Sequence, residues 1–274
     1  MSLALALALA PAAPPAAAAS GDAGRTAATV SIRGQSQTLH VYDRAAGGGG
    51  PAPPAALVLS GDLGWNGFSV KVAEALAADG FRVVGFNVRA YLASFTARDS
   101  KLTATDVPGD VAVALDLLAP DAKKKVVLLG ISEGAGLAAL AASDALLKDR
   151  VLGVVGFGLP DENELGWKWS DMMMYLTKKP PKEPSFRVAT VAARLAPVPL
   201  ASIFSTHDEY TPLAEEKGLL DLVGGPKRLW LVDSANHRFS DNEAGALAAM
   251  REALLWLAAP SPPATAPPGL GPSR

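Results

Sequence analysis

The chain has 274 residues, 49% of them hydrophobic, with a mean hydropathy of +0.21, which is enough apolar material for the core of a globular protein. A formal net charge of −2, with acidic and basic residues interspersed, excludes the strongly basic surface that nucleic-acid binding requires. The chain has no cysteine, which excludes disulfides, thiolate nucleophiles and cysteine-ligated metals but is compatible with any redox compartment.

Residues 1–26 form an Ala/Pro leader in which a short apolar stretch precedes small residues in an Ala-x-Ala context. This arrangement resembles a secretory signal peptide without the usual basic start, and predicts a periplasmic or secreted protein. A disordered leader on a cytoplasmic protein is the alternative. Residues 259–274 are predicted to be a disordered Pro-rich tail, which leaves 27–258 as the folded domain, and no other run is apolar enough to span a bilayer.

The folded part begins with two short strand-like segments, ATVSIRG and QTLHVYD, that flank a Gly-Gln turn and predict a β-hairpin. After a Gly/Pro-rich loop at 45–56, apolar strand patterns alternate with helical spacings. Strands are predicted at 56–60, 81–87, 125–130, 151–158, 199–205 and 227–233, and helices at 67–80, 106–119, 134–147 and 243–258.

The central strands are apolar on both faces and most are separated by helices. Such strands belong to a mostly parallel sheet that is covered by helices on both sides. The sequence therefore predicts one α/β domain with an antiparallel N-terminal hairpin.

Ser132 lies in a sequence context that is typical of a catalytic nucleophile. Gly130-Ile131-Ser132-Glu133-Gly134 joins a predicted strand to a predicted helix, which is the context in which a G-x-S-x-G motif presents a nucleophile. The glycines allow the strand and helix to approach closely, and the helix N-terminus directs free N–H groups at the serine. A chemically inert βα turn is the alternative. The glycine spacing does not fit a dinucleotide-binding or phosphate-binding loop.

A serine nucleophile needs a base, and the chain has three histidines. His237 lies in a polar loop between the last strand and the closing helix, the position of the base in the α/β-hydrolase order. His40 lies in the leading hairpin, before the serine. His207 follows the 199–205 strand and is interpreted as a neighbour of the site.

The acid that orients the base should lie in a loop after an earlier strand. Asp208 follows the 199–205 strand directly and is the predicted acid, with Glu209 and Asp161 as alternatives. A metal site formed by His207, Asp208 and His237 is a weaker interpretation, since two histidines and one carboxylate are too few ligands to indicate one. No cofactor and no metal are predicted.

The loop SGDLGWNGF follows the first central strand, where the second donor of an oxyanion hole is expected. The backbone N–H of Leu63, or that of Asp62, is predicted to act with the N–H of Glu133. The Asp62 side chain either forms the turn or contacts a cationic group of the substrate. Trp65 is a further predicted substrate contact.

Together, LSGDLGW, VVGFNVRAYL, VVLLGISEGAGL, STHDEYTP and ANHRF resemble the α/β-hydrolase fold over about residues 56–258. The segment LSGDLGWNGFSVKVAEALAADGFRVVGFNVRAYL is similar in particular to the bacterial virulence VirJ/AcvB branch. That resemblance implies a periplasmic protein that acts on an aminoacylated lipid, lysyl-phosphatidylglycerol. It places the nucleophile at Ser132, the acid at Asp208 and the base at His237.

Residues 161–186 fall between two strands, where this fold commonly inserts a cap. Indole and methionine side chains in this insertion suit an irregular acyl group or lipid tail, although they also suit packing of the cap on the domain. The predicted substrate contacts here are Trp167, Trp169, Asp171 and Tyr175. Three lysines follow at 178, 179 and 182, so a basic edge adjoins an apolar face and indicates peripheral contact with an anionic membrane or a solvated helix end.

These features predict a serine hydrolase that cleaves a small-molecule or lipid ester through an acyl-enzyme. A peptidase, thioesterase or acyltransferase would use the same triad. A non-catalytic relative that binds in an envelope or secretion complex is the alternative from another class.

Overall fold

The computed structural model describes residues 25–43, 54–96, 101–168 and 183–259. The strands are β1 (Arg25–Ile32), β2 (Gln35–Tyr42), β3 (Ala55–Leu59), β4 (Val83–Phe86), β5 (Val126–Ile131), β6 (Val151–Phe157), β7 (Glu162–Glu164), β8 (Ser185–Arg187), β9 (Leu200–Ser205) and β10 (Lys227–Val232). The helices are α1 (Gly67–Ala78), α2 (Val88–Thr96), α3 (Val107–Leu118), α4 (Glu133–Ser143), α5 (Ala189–Ala192), α6 (Leu213–Asp221) and α7 (Glu243–Ala258).

Eight strands form one sheet in the order β1-β2-β4-β3-β5-β6-β9-β10. The six strands from β4 to β10 in this order run parallel, and the β1–β2 hairpin joins β4 in antiparallel orientation. The remaining strands, β7 and β8, pair with each other as a separate antiparallel hairpin. Since the carboxyl ends of parallel strands share one edge of a sheet, the loops after β3, β5, β6, β9 and β10 meet there.

The apolar faces of the central strands explain this arrangement. In β3, four consecutive residues from Ala56 to Leu59 are fully buried. Leu57 and Leu59 belong to the core on one side of the sheet, with α3 and α4, whereas Ala56 and Val58 belong to the core on the other side, with α1 and α7. The predicted mostly parallel sheet, with an antiparallel N-terminal hairpin and helices on both faces, is therefore confirmed.

The hairpin turn differs from the expected one by a residue. Arg33 and Gly34 are the two turn residues, with φ values of 50° and 78°, and Gln35 already pairs with Ile32. Positive φ at both central positions is the geometry whose twist suits a two-residue β-hairpin.

Sequence periodicity did not predict α2, α5, α6 or the β7–β8 hairpin, because these elements are short. The expected leader at 1–26 and tail at 259–274 lie almost entirely outside the described residues, as does 169–182 of the cap segment. No helix in the described ranges combines the length and apolarity needed to cross a membrane.

Candidate functional site

Ser132 lies between β5 and α4 with φ of 52° and ψ of −121°, a conformation that few residues other than glycine adopt. Backbone hydrogen bonds on both sides of the residue hold it there. Its N–H donates to the carbonyl of Phe157 on β6 (2.9 Å), and its carbonyl accepts from Ala135 in the first turn of α4 (2.7 Å). A strained serine fixed in this way is the feature that the G-x-S-x-G spacing predicted.

The two glycines of the motif are required by the close approach of strand, helix and neighbouring loop. A Cβ at Gly130 would lie 2.2 Å from the carbonyl oxygen of Gly134, and one at Gly134 would lie 2.4 Å from the carbonyl oxygens of Leu59 and Ser60. Both distances are far shorter than a van der Waals contact. Any side chain at either position would push α4 away from the sheet and move Ser132.

His237 and Asp208 are in direct contact. The Nδ1 atom of His237 lies 2.6 Å from Oδ2 of Asp208, in the loops that follow β10 and β9. The other oxygen, Oδ1, accepts the backbone N–H groups of Tyr210 and Thr211, each at 2.9 Å. The Asp208 side chain is 1% exposed and that of His237 11%, so the pair is largely shielded from water, with the Nε2 of His237 left for a reaction.

The alternative acids have other partners. Glu209 accepts the backbone N–H of His237 (2.7 Å) and so positions the loop rather than the ring. Asp161 forms an ion pair with Arg187. Of the remaining histidines, His40 stacks on Trp65, and His207 lies beside Thr206 and the carbonyl of Ser234. In the described part of the chain no group of three His, Asp or Glu residues is arranged to hold a metal ion.

Ser132 and His237 line one cavity of about 490 Å³ at the carboxyl edge of the sheet. Asp62 and Glu133, which the sequence placed beside the serine, line it too. Oε2 of Glu133 is buried and has no hydrogen-bond partner among the described residues. The wall also contains Phe68, so the cavity combines apolar surface with carboxylates close to the serine.

Burial and nearby charges in the cavity shift the pKa values of Asp62 and His237. Burial, and after it the charge of Glu133, raises the pKa of Asp62 to about 7. Burial alone would lower the pKa of His237, but the hydrogen bond and charge of Asp208, followed by the charges of Glu133 and Glu209, raise it above its ordinary value.

For Asp208, burial acts to raise the pKa. The hydrogen bond and charge of His237, with the two backbone N–H donors of the following residues, outweigh burial and hold the pKa below its ordinary value. Asp208 therefore stays ionised and favours the protonated form of His237.

The loop after β3 passes close to the serine. A Cβ at Gly61 would lie 3.5 Å from the Cβ of Ser132, so the peptide between Gly61 and Asp62 adjoins the nucleophile position. The N–H of Leu63 lies near the Asp62 carboxylate and lowers its pKa. The loop that carries both predicted backbone donors, Leu63 and Asp62, thus passes beside Ser132.

Two predicted substrate contacts, Trp65 and Trp167, are not among the described residues that line the cavity. The ring of Trp65 covers Gly85, stacks on His40 and donates its Nε1–H to Tyr42, so it packs on the sheet and not on the cavity wall. Trp167 lies against the guanidinium of Arg89 and part of the core near α2, because its backbone N–H is bonded to Thr96 there. The predicted contacts Trp169, Asp171 and Tyr175 lie outside the described residues.

The structure adds lining residues that the sequence pattern did not indicate. The β7–β8 hairpin contributes carboxylates, with Glu162 and Glu164 on β7 and Glu183 before β8. Tyr210 lies edge-on to the ring of His237, at a centroid distance of 5.4 Å. The acidic run DENE at 161–164 was the available signal for the hairpin.

Comparison with known proteins agrees with this architecture. The family model of the α/β-hydrolase fold matches residues 47–254. No curated protein sequence matches the chain.

Among solved structures, Est1E from Butyrivibrio proteoclasticus is 13% identical with a TM-score of 0.57, and covers 84% of this chain and 98% of its own. The esterase domain of a Rhodothermus marinus protein is 18% identical (TM-score 0.58, 85% and 97% covered). Dienelactone hydrolase from Anabaena variabilis is 20% identical (TM-score 0.59, 85% and 95% covered). At such identities the likeness extends to the fold alone.

Proposed function

Because the chain belongs to the α/β-hydrolase fold family, we propose that it is a serine hydrolase that cleaves carboxylic esters, with Ser132, His237 and Asp208 as its catalytic triad. The observation that supports this best is the pairing of His237 with the buried Asp208 at the cavity that also contains Ser132 on its strained turn.

In the acylation half-reaction, Oγ of Ser132 attacks the ester carbonyl while Nε2 of His237 takes the hydroxyl proton. The imidazolium that forms is stabilised by Asp208. The carbonyl oxygen becomes an oxyanion, held by the backbone N–H groups of Glu133 and Leu63, with that of Asp62 as the alternative. Collapse breaks the bond to the alcohol oxygen, which leaves with the proton from His237.

In deacylation, His237 removes a proton from water, the hydroxide attacks the acyl-serine carbonyl, and Ser132 regains its proton as the acid is released. Every step uses side chains and backbone of this chain. The raised pKa of His237 favours the imidazolium intermediate, which both half-reactions share.

The substrate we propose carries a positive charge on its acyl part, as an aminoacyl ester does. Asp62 and Glu133 lie beside Ser132, and Oε2 of Glu133 is buried without a partner. An ammonium group close to the scissile carbonyl would satisfy that oxygen, and a charge-assisted hydrogen bond is stronger than a neutral one. The resemblance to the VirJ/AcvB branch supports a lipid as the alcohol part and the periplasm as the compartment.

The first experiment is labelling of the purified protein with a fluorophosphonate, which reacts only with an activated serine. We expect labelling of the wild type and its loss in Ser132→Ala and His237→Ala. Ser240→Ala is the matched control, because Ser240 lines the same cavity and has no role in the proposed reaction. A folded wild type that resists labelling would contradict the enzyme proposal and favour a binding protein.

The second experiment compares esters of one alcohol that differ only in charge. A β-alanyl ester and a butanoyl ester have nearly the same shape, but the first carries an ammonium where the second has a methyl. We expect Asp62→Asn with Glu133→Gln to lower kcat/KM for the β-alanyl ester by about 10- to 100-fold and to leave the butanoyl ester nearly unchanged. Equal losses for both esters would contradict selection by charge.

Amide, thioester and alcohol-acceptor assays on the same preparation distinguish the esterase from a peptidase, a thioesterase or an acyltransferase, all of which use the same triad.

The proposed periplasmic location has its own test, which is mass spectrometry of the protein from its native host. A mature N-terminus between residues 20 and 23 is the expected result, and an intact leader would contradict export through cleavage.

A further inference from the structure

A second cavity, of about 530 Å³, adjoins the one that contains Ser132. The two share a wall formed by Pro160, Glu162, Tyr210 and Thr211. The beginning of α6, with Glu215 and Glu216, also lines the second cavity. The proposed reaction gives this second space no role.

Glu216 is the unusual residue of the second cavity. It is fully buried, and its Oε1 accepts a hydrogen bond from Ser202 on β9. Its Oε2 is buried with no partner among the described residues. Buried carboxylate oxygens are costly unless they are bonded, so this oxygen favours a hydrogen-bond donor that enters the cavity.

The surroundings of Glu216 are negative. Burial raises its pKa to about 7, and the charge of Asp208 adds to this effect against the hydrogen bond from Ser202. Arg187 is the basic residue of the wall, and its guanidinium is already bonded to Asp161 through Nε (2.7 Å) and through a second nitrogen.

The other carboxylates of the wall are not neutralised either. Within the ranges that the structure describes, no basic side chain lies within 4.0 Å of the carboxylates of Glu162, Glu215 or Glu216. Three carboxyl groups therefore border the cavity, and among the described residues of its lining no unpaired basic side chain accompanies them.

We propose that the second cavity is a binding site for an organic cation, a primary ammonium or a guanidinium, which Glu216 holds together with Glu215 and Glu162. Its volume lies in the range of small-molecule sites and is far larger than a single metal ion needs. The described residues also contain no cluster suited to a metal. The site goes beyond the proposed function, because its ligand binds whether or not Ser132 reacts.

Two kinds of molecule carry an organic cation of this type. The cation is either a remote group of the ester substrate, which reaches across the shared wall past Tyr210 and Thr211, or a separate small molecule such as a polyamine. Both would place a positive charge against Glu216, and kinetics distinguish them.

The binding test is isothermal titration calorimetry with 1,4-diaminobutane, and with 1,4-butanediol as the uncharged control. The protein carries Ser132→Ala, Asp62→Asn and Glu133→Gln, so that neither reaction nor binding beside the serine contributes. We expect the diamine to bind and the diol not to bind. Adding Glu216→Gln, which keeps the shape and the acceptor for Ser202, should weaken diamine binding at least about 10-fold.

A diamine that does not bind, or that binds equally well after Glu216→Gln, would overturn the proposal. Because Glu216 is buried, its replacement can also impair folding. A second measurement therefore keeps Glu216 and follows its titration. In ¹³C-carboxyl NMR of the triple variant, saturating diamine should lower the titration midpoint of Glu216, since a cation favours the ionised carboxylate. A midpoint that does not move would also count against the site.

Steady-state kinetics on the variant with Asp62→Asn and Glu133→Gln identify the source, because the diamine then has no site beside Ser132. If the cation belongs to the substrate, the diamine competes with a long dicationic ester and leaves a butanoyl ester unaffected. If it is a separate ligand, the diamine changes the rates of both esters alike. Either pattern supports the site, and no effect on any ester at a diamine concentration that saturates the calorimetric site would contradict both sources. Failure of the fluorophosphonate experiment would leave the calorimetric result unaffected.

Discussion

The ring of His237 rests on the backbone of Gly158. A Cβ at Gly158 would lie 2.5 Å from Cε1 and 2.9 Å from Nδ1 of that ring, and Gly158 itself has a φ of 55°. This glycine follows β6, whereas His237 follows β10, so the end of one strand sets the position of a side chain from another. The glycine thus keeps the ring both within reach of Asp208 and open to the cavity.

We therefore expect Gly158→Ala to inactivate the protein through the position of the base. The added methyl group displaces the ring, and a shift of about 1 Å can cost on the order of 10²-fold in rate. The rate of fluorophosphonate labelling measures this. Gly34→Ala is the control, because Gly34 also has a positive φ, of 78°, but a Cβ there meets no atom within 4 Å.

Both variants should lose roughly 1–2 kcal/mol of stability from backbone strain, but only Gly158→Ala should lose activity. Equal labelling rates in the two variants would show that Gly158 does not position His237.

A second glycine, Gly136, fixes the position of the β7–β8 hairpin. A Cβ at Gly136 on α4 would lie 1.8 Å from Oδ1 of Asn163, which is fully buried on β7 and donates to the carbonyls of Pro160 and Asp161. Gly136→Ala should cost roughly 1–3 kcal/mol of unfolding free energy, because the side chain and the hairpin must move.

Gly218→Ala is the matched comparison. Gly218 lies within α6, and a Cβ there meets nothing within 4 Å. This change should stabilise the protein by about 0.5–1 kcal/mol, through helix propensity alone. Urea unfolding of both variants checks the prediction, and a higher KM for charged esters in Gly136→Ala would show that the hairpin contributes to binding. Similar unfolding free energies would contradict the anchoring role.

Much of this architecture is predictable from local pattern. The parallel strands and α7 are marked by continuous apolar patterns. The G-x-S-x-G spacing between a strand and a helix predicts the strained turn, because this motif at such a junction is typical of a nucleophilic serine. The order of His237 after Asp208 in the chain was enough to predict that these two residues meet.

Side-chain direction was not predictable in the same way. Trp65 lies one residue from the cavity-lining Gly64 and Asn66, yet its ring covers Gly85 on a neighbouring strand. The sequence does not show that Gly85 leaves space for an indole there. The contacts of Glu216 also depend on tertiary packing, since its partner Ser202 lies on a different element and at no characteristic spacing.

The pH dependence of activity should reflect Glu133. His237 must be neutral to accept the serine proton, so activity is lost as pH falls through its pKa, which lies above the ordinary value. Glu133→Gln removes a negative charge that favours the imidazolium and keeps the backbone N–H. We expect the acidic limb of kcat/KM for the butanoyl ester to move to lower pH.

Glu243→Gln is the control for that shift, because Glu243 lines the cavity but is paired with Lys71 and is not among the groups that raise the pKa of His237. Its acidic limb should coincide with that of the wild type. An acidic limb in Glu133→Gln that is unchanged, or displaced to higher pH, would mean that this charge does not act on the base.

Selection by charge should itself depend on pH, through Asp62. Its pKa of about 7, raised by burial and then by Glu133, means that Asp62 gains its negative charge as pH rises through neutrality. The ratio of kcat/KM for the β-alanyl ester to that for the butanoyl ester should therefore rise across this range, where the aliphatic ammonium stays charged. Taking the ratio removes the titration of His237, because both esters need the same base.

The two variants distinguish the cause. In Asp62→Asn the ratio should be independent of pH near neutrality, because no carboxyl titrates at that position. In Glu133→Gln the rise should occur at lower pH, because the second-largest cause of the raised pKa of Asp62 is gone. A wild-type ratio that stays constant through pH 7 would show that Asp62 does not contact the acyl charge, and would leave its carboxylate with a role in the turn alone.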